Sequence, residues 1–198
     1  MKIIGLIGGS GAGKSSVSKE FQKRGAETID GDKVAREIVS PGKLALLEIT
    51  KVFGADVLCP DGTLNRKKLA EIVFSDAGEL HKLNLITHKY ISEEIKKELA
   101  RCEKPIFIID AAALIESGIH KLCDAVVFVN AERETRINRI MARDDLTREE
   151  AKRRIDAQKE DRFYRANSQF EIQNNGDKKA LDDAVSEIIK GVFGEEIR

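Results

Sequence analysis

The feature that most constrains this chain is a glycine-rich stretch near the N-terminus. Residues 8–15 read GGSGAGKS; they follow an apolar run at 3–7 and precede residues 16–21, which are predicted to be helical. Glycines let the backbone turn tightly with its N–H groups pointing inward, because no Cβ occupies that space. Those N–H groups and the positive end of the next helix form a cradle for phosphates. An ordinary strand-to-helix turn with an incidental lysine is the alternative, but the complete pattern in this setting predicts a bound nucleoside triphosphate.

Individual positions of this loop have expected roles. Lys14 can reach the β- and γ-phosphates, and the Ser15 hydroxyl can ligate Mg²⁺. The residues expected to bind the triphosphate are Gly8, Gly9, Gly11, Ala12, Gly13, Lys14, Ser15 and Ser16.

Composition limits the remaining classes of function. The chain has 198 residues, which is enough for one well-buried α/β domain. Lys+Arg and Asp+Glu number 34 each, so no net field attracts nucleic acid or an anionic membrane. The three cysteines lack a paired spacing and are expected to be reduced thiols. We therefore expect a cytoplasmic protein, a monomer or small homo-oligomer, with no nucleic-acid or membrane partner.

The other apolar runs predict a five-stranded parallel sheet flanked by helices. Continuous runs at 106–109 and 125–129 are typical of parallel strands buried on both faces. Two consecutive helical segments, at 65–74 and, as one long helix or a helix pair, at 77–101, interrupt the βα alternation and suggest an inserted, substrate-covering region. Helices are also predicted over 132–143 and, as one piece, over 148–165. The expected single domain comprises a core (1–58, 103–135 and 168–198), covering helices at about 59–102 and a helical lid at about 136–167.

Acidic residues follow two of the predicted strands. Asp110 ends a buried strand, where a carboxylate can hold Mg²⁺ directly or through water; a helix cap or turn residue is the alternative. Asp32 lies at the carboxyl end of the second strand, the edge at which open α/β sheets bind ligands. A carboxylate there can accept the proton of a hydroxyl nucleophile. Asp30 fits a turn or a water-mediated metal ligand, and local Asx turns could explain both residues.

Basic residues dominate the predicted lid. Arg136, Arg139 and Arg143 share one helix face, because they are three and four residues apart. Such a face can close over a polyphosphate and neutralise charge in the transition state. Solvated helices rich in Arg and Glu are the alternative. We assign catalytic roles to Arg139 and Arg143. His88, in the inserted helices, is predicted either to touch the acceptor or to pack at the surface.

The sequence resembles the dephospho-coenzyme A kinases over nearly its whole length. The most specific stretch is residues 29–36, IDGDKVAR, which is similar to the family's I-D-x-D-x-x-A-R. Further resemblance lies at residues 4–15, 62–69, 72–74, 86–88, 141–144, 154–158 and 174–176. The chain departs from the family at residues 110–116, DAAALIE, where D-x-P-L-L-F-E is usual, and at Lys89, which replaces a proline.

This resemblance implies a P-loop NTPase fold and a specific reaction. ATP·Mg²⁺ would be the donor and the ribose 3′-hydroxyl of dephospho-coenzyme A the acceptor, with Asp32 accepting the hydroxyl proton. Lys14 and the loop amides would hold the γ-phosphoryl group, and Arg139 and Arg143 would close from the lid. Asn175 and Gly176 would contact the nucleotide base. The implied acceptor-binding residues are Asp32, Arg36, Leu64, Arg66, His88 and Ile115.

Two other functions remain as alternatives. A GTP-binding switch would be expected to carry N-K-x-D and D-x-x-G motifs, and neither occurs in the chain. A sister kinase acting on a nucleoside or nucleotide would differ chiefly in the 60–90 region.

Overall fold

The structure, a computed structural model that describes residues 1–194, contains a five-stranded sheet. Its strands are β1 (Lys2–Ile7), β2 (Glu27–Asp30), β3 (Ile106–Asp110), β4 (Ala125–Asn130) and β5 (Phe170–Gln173). Their order is β2-β3-β1-β4-β5, and the pairs of β1 with β3, β1 with β4 and β4 with β5 are parallel. The predicted parallel sheet is confirmed.

The described part of the chain contains nine α-helices. They are α1 (Lys14–Lys23), α2 (Gly31–Glu37), α3 (Leu44–Phe53), α4 (Arg66–Ser75), α5 (Ala77–Arg101), α6 (Arg133–Asp144), α7 (Arg148–Asp156), α8 (Asp161–Ala166) and α9 (Lys178–Phe193). The side chain of Asn65 accepts a hydrogen bond from the Lys68 N–H at 3.0 Å, which caps α4 as its position suggests. None of the helices within residues 1–194 is long and apolar enough to cross a membrane.

The prediction of one helix over 148–165 is wrong. Thr147 and Glu150 form a capping box that begins α7, but the helix ends at Asp156 and α8 begins only at Asp161. Neither glycine nor proline marks the break, so local propensity continues the helix through it. The break coincides with long-range hydrogen bonds of the Gln158 side chain, described below.

The core covers both faces of the sheet. On one face, Val17 and Phe21 of α1 and Val185 of α9 pack against alternate residues of β1, β3 and β4. On the other face, Tyr164 of α8 stacks on Phe128 of β4 with ring centroids 5.2 Å apart. The central strands are therefore continuously apolar, because both of their faces are covered.

The chain divides into two compact units. We call the first the sheet unit (Met1–Ile29 and the chain from Cys102 onward) and the second the helical unit (Asp30–Arg101). In the helical unit α2, α3 and α4 each pack against α5. The boundary of the helical unit lies at Ile29/Asp30, and the covering region expected from about residue 59 stays a prediction. The last four residues of the predicted core segment 168–198 lie outside the described residues.

A buried carboxylate joins α1 to α9 in the sheet unit. Glu20 is only 8 % exposed and accepts hydrogen bonds from Lys23 and Arg24, and Arg24 also pairs with Asp182 of α9. Hydrogen bonds from Lys23 and then Arg24 lower the pKa of Glu20 from 4.5 to about 2. The ionised form of Glu20 therefore stabilises the fold.

We expect this carboxylate to contribute to acid sensitivity. Because the folded-state pKa is depressed, its stabilisation is complete above about pH 4.5 and disappears as the pH falls towards 2. Glu20→Gln should have a lower melting temperature than the wild type at pH 7. Between pH 5 and pH 3, the melting temperature of the variant should fall by less than that of the wild type. Circular dichroism melts across that range measure the difference, with the exposed Glu187→Gln as control. Parallel melting curves for Glu20→Gln and wild type at every pH would contradict the assignment.

Candidate active site

The phosphate-binding loop, residues 8–15, connects β1 to α1 in a conformation that only glycine permits at key positions. Gly13, the N-cap of α1, has φ 89°, in the left-handed region. A Cβ on Gly13 would lie 2.2 Å from Nδ2 of Asn174. Glycine is thus required at position 13 for two reasons: its φ angle is left-handed, and the Asn174 side chain occupies the space that a Cβ would need.

Two arginines of α6 hold the loop by its carbonyl groups. The Arg136 Nε donates to the Ser10 carbonyl at 3.0 Å. One Arg139 nitrogen, Nη1, donates to the carbonyls of Gly11 at 3.2 Å and Ala12 at 3.3 Å. These arginines therefore contact the outer, carbonyl side of the loop in this structure.

Asn174 completes this support from the loop after β5. Its buried Nδ2 donates to the carbonyls of Ala12 at 2.9 Å and Gly13 at 3.4 Å. In a trans peptide the C=O and the following N–H point in opposite directions. Tying these carbonyls outward therefore directs the N–H groups of Gly13 and Lys14 to the opposite side, where they can meet an anion.

Lys14 and Asp110 lie together at the carboxyl end of the sheet. The Lys14 Nζ donates to the Gly8 carbonyl at 3.2 Å and is 4.0 Å from Asp110 Oδ1. Asp110 is the last residue of β3 and pairs with Leu6 of β1. Strand β1 leads directly into the loop, so Asp110 lies next to the start of the loop. Next to Lys14, the exposed Ser15 presents a hydroxyl. A hydroxyl and a carboxylate are the hard oxygen donors that Mg²⁺ prefers, so these residues fit the ion.

Acidic partners neutralise most of the other lid arginines. Arg143 donates two hydrogen bonds of 2.8 Å to Asp144, and Arg154 pairs with the same carboxylate. The Asp144 hydrogen bond raises the pKa of Arg143, and the Arg143 hydrogen bond lowers the pKa of Asp144. Arg165 binds Glu171 at 2.9 Å. Arg139 is thus held on loop carbonyls, whereas Arg143 is held on a carboxylate.

A cleft of about 660 Å³ opens beside the loop. Its lining includes Ser16 of α1, Arg139 of α6, Asn174 and Gly176. Gly176 therefore faces the cleft, as a base-binding residue requires. Asn175 is instead tied to Glu132: its Oδ1 accepts from the Glu132 N–H at 2.9 Å, and its Nδ2 donates to the Glu132 carboxylate at 3.2 Å.

The remaining predicted site residues lie mostly in the helical unit. Asp32 and Arg36 are exposed in the first and last turns of α2. Asp30 caps this helix by accepting the Lys33 N–H at 2.9 Å. Leu64 and Arg66 lie just before and at the start of α4, and His88 is half-buried within α5. Ile115 lies in the sheet unit, half-buried after β3.

Sequence reasoning missed three residues that shape the loop: Arg136, Asn174 and Gln158. Arg136 was recognised on the basic face but not given a role. Asn174 and Gln158 lie in stretches that resemble the family's base loop and lid, which was the available signal. No spacing rule links residue 158 or 174 to a loop at residues 8–15, because only folding brings them together.

Comparison with known proteins agrees with this geometry. A model of the dephospho-CoA kinase family matches residues 2–180. The dephospho-CoA kinase of Geobacter sulfurreducens is 42% identical over 191 residues, covering 95% of this chain and 97% of that protein. A solved dephospho-CoA kinase from Campylobacter jejuni superposes with a TM-score of 0.66 at 26% identity, covering all of both chains. A shikimate kinase from Acinetobacter baumannii, at 15% identity and TM-score 0.55 over 100% of this chain and 96% of its own, shares the fold alone. With its phosphate-binding loop, parallel sheet and matching length, this chain belongs to the dephospho-CoA kinase family.

Proposed function

We propose that the protein transfers the γ-phosphoryl group of ATP to the ribose 3′-hydroxyl of dephospho-coenzyme A, giving coenzyme A and ADP as the last step of coenzyme A synthesis. The observation that carries this proposal is the family match over residues 2–180, in a chain whose loop presents Lys14 beside Asp110. Phosphoryl transfer needs little covalent help from the protein. Positioning and charge stabilisation are therefore the tasks to assign.

The donor is bound by the loop. The inward N–H groups and Lys14 hold the β- and γ-phosphates, and Gly176 faces the cleft that receives the base. Lys14 exchanges its hydrogen bond with the Gly8 carbonyl for the phosphate oxygens. Ser15 and Asp110 are the residues that would hold Mg²⁺, Asp110 directly or through water. The ion supplies neutralisation of the charge that develops on the transferred group.

The acceptor is assigned to residues placed by resemblance. Asp32, exposed in the first turn of α2, orients the 3′-hydroxyl and accepts its proton. The acceptor-binding residues are Arg36, Leu64, Arg66, His88 and Ile115. Their support is the similarity of residues 29–36, 62–69 and 86–88 to the family pattern.

Two lid arginines supply positive charge during transfer. Arg139 already lies against the loop and lines the nucleotide cleft. Arg143 reaches the phosphates by leaving Asp144, and the loss of that ion pair is offset by the new one. Arg139 likewise reaches the phosphates by leaving the Gly11 and Ala12 carbonyls, which lie on the side of the loop opposite its N–H groups.

A coupled ADP-release assay tests the proposed reaction. ATP·Mg²⁺ is supplied with dephospho-coenzyme A, with nucleoside monophosphates, or with shikimate, which is included because of the shared fold. We expect turnover with dephospho-coenzyme A alone, and ³¹P NMR of the product should show a new 3′-phosphomonoester. Turnover on another acceptor without stimulation by dephospho-coenzyme A would overturn the proposal.

We also infer a cytoplasmic protein that acts as a monomer or small homo-oligomer without a nucleic-acid partner. The support is the balanced charge and the three free cysteines, Cys59, Cys102 and Cys123. Light scattering after gel filtration measures the oligomeric state.

A further inference from the structure

Gln158 reaches the phosphate-binding loop from the break between α7 and α8. Its Oε1 accepts from the Ser10 N–H at 2.9 Å, and its Nε2 donates to the Ser10 hydroxyl at 2.8 Å. Its amide therefore matches both a donor and an acceptor of the same residue. Such a two-point contact fixes orientation as well as distance.

Arg136 binds both members of this pair. Its Nε donates to the Ser10 carbonyl and its Nη2 donates to Gln158 Oε1, both at 3.0 Å. Arg136 is 8 % exposed, and burial lowers its pKa, while Asp161 at 3.8 Å favours the charged form. We call Ser10, Arg136 and Gln158 the Ser10 clasp. It satisfies the N–H, the C=O and the hydroxyl of Ser10 together.

The position of Ser10 in the chain explains why a clasp matters there. Its neighbours are Gly9 and Gly11, which leave an unsupported backbone many conformations. A Cβ on Gly9 would lie 2.2 Å from Arg136 Nη2 and 2.7 Å from Gln158 Oε1, so glycine allows the clasp to approach. The entropic cost of ordering this segment is therefore met during folding. Because that cost does not arise again when the ligand binds, the affinity for the ligand is higher.

The clasp also connects the lid to the loop. Ile155 and Ala151 of α7 pack with Ile137 and Ile140 of α6 in an apolar cluster of their own. Gln158 follows Ile155 by three residues, so its position depends on that cluster. We propose that Gln158 is a positioning residue for the nucleotide: through Ser10 and Arg136 it presets the phosphate-binding loop. The inference deepens the proposed function and requires only that a nucleoside triphosphate is the donor.

Two substitutions separate hydrogen bonding from packing at this site. Gln158→Ala removes the amide and the bulk, whereas Gln158→Met keeps the bulk without matched polar groups. We expect the dissociation constant for Mg·ADP, measured by titration calorimetry, to rise roughly 5- to 100-fold in both variants, because two or three hydrogen bonds are lost. The Michaelis constant for ATP should rise in parallel, with kcat at saturating ATP within about threefold of wild type, as for an interaction already made in the ground state.

The controls keep the test specific. Gln22→Ala, at an exposed position of α1, should bind Mg·ADP like the wild type. In a Ser10→Ala background, Gln158→Ala should have a smaller effect than alone, because the pair is coupled. Unchanged ADP affinity, an effect of the alanine but not the methionine variant, or a lower kcat at unchanged Michaelis constants would each overturn the inference. ADP affinity is measured without acceptor, so this result stands apart from the identity of the acceptor.

Discussion

Replacing Asp32 by asparagine is expected to lower kcat by roughly 10²–10⁴-fold while leaving ATP affinity nearly unchanged. Asparagine has the same size and can still hydrogen-bond a hydroxyl, but it cannot accept its proton at neutral pH. Asp32 lies in the first turn of α2, and the side chain that caps this helix is Asp30, which the substitution keeps.

Rapid-quench measurement of the first turnover, together with calorimetric ATP affinity, tests this expectation. Asp56→Asn provides the matched control, because Asp56 is also exposed in the helical unit. It should retain wild-type turnover. If Asp32→Asn turns over like Asp56→Asn, then Asp32 is not the general base and another group must take the proton.

Substitution of Gly11 by alanine is the second change with a large expected effect. Gly11 has φ +76°, and its Cβ would lie 2.5 Å from the Arg136 carbonyl oxygen and 2.9 Å from its Cα. Both atoms belong to the α6 backbone, so either the loop or the helix must move. Displacement of about 1 Å in a positioned site can lower the reaction rate about 10²-fold. We expect kcat/KM for Mg·ATP to fall by about that factor, with a loss of Mg·ATP affinity.

Gly25→Ala separates this clash from the cost of the backbone conformation. Gly25 has a similar φ, +83°, but an added Cβ would meet no atom within 4 Å. It should lose about 1–2 kcal/mol of unfolding free energy, as an L-residue in the left-handed region does, without losing ATP affinity. Equal nucleotide affinities for Gly11→Ala and Gly25→Ala would show that contact with α6 is unimportant.

Local patterns predicted most of the framework. The strands at 106–110 and 125–130 and the helical segments at 65–74 and 77–101 follow from apolar runs and helical periodicity. These features depend on residues within one or two turns of each other. The prediction of one helix over 148–165 was wrong because the break between α7 and α8 has no local signal. The break coincides instead with a contact between residues 158 and 10, which are far apart in the sequence.

Charge partners could not be predicted in the same way. The basic lid suggested arginines aimed at a polyphosphate, but Arg143 and Arg154 both pair with Asp144. Arg139 lies on loop carbonyls. Many acids are within reach of each arginine in sequence. Which one pairs depends on side-chain packing across α6 and α7, and that packing is tertiary.

By itself the sequence determined the phosphate-binding loop, because the glycine spacing and its strand and helix flanks are local and steric. It also determined the family through the order of its motifs. Only the tertiary structure decided how the loop is held. The carbonyls of residues 10–13 accept hydrogen bonds from Arg136, Arg139 and Asn174, which lie more than 100 residues away along the chain. Backbone groups need partners wherever they are buried, and folding alone selects which distant side chains supply them.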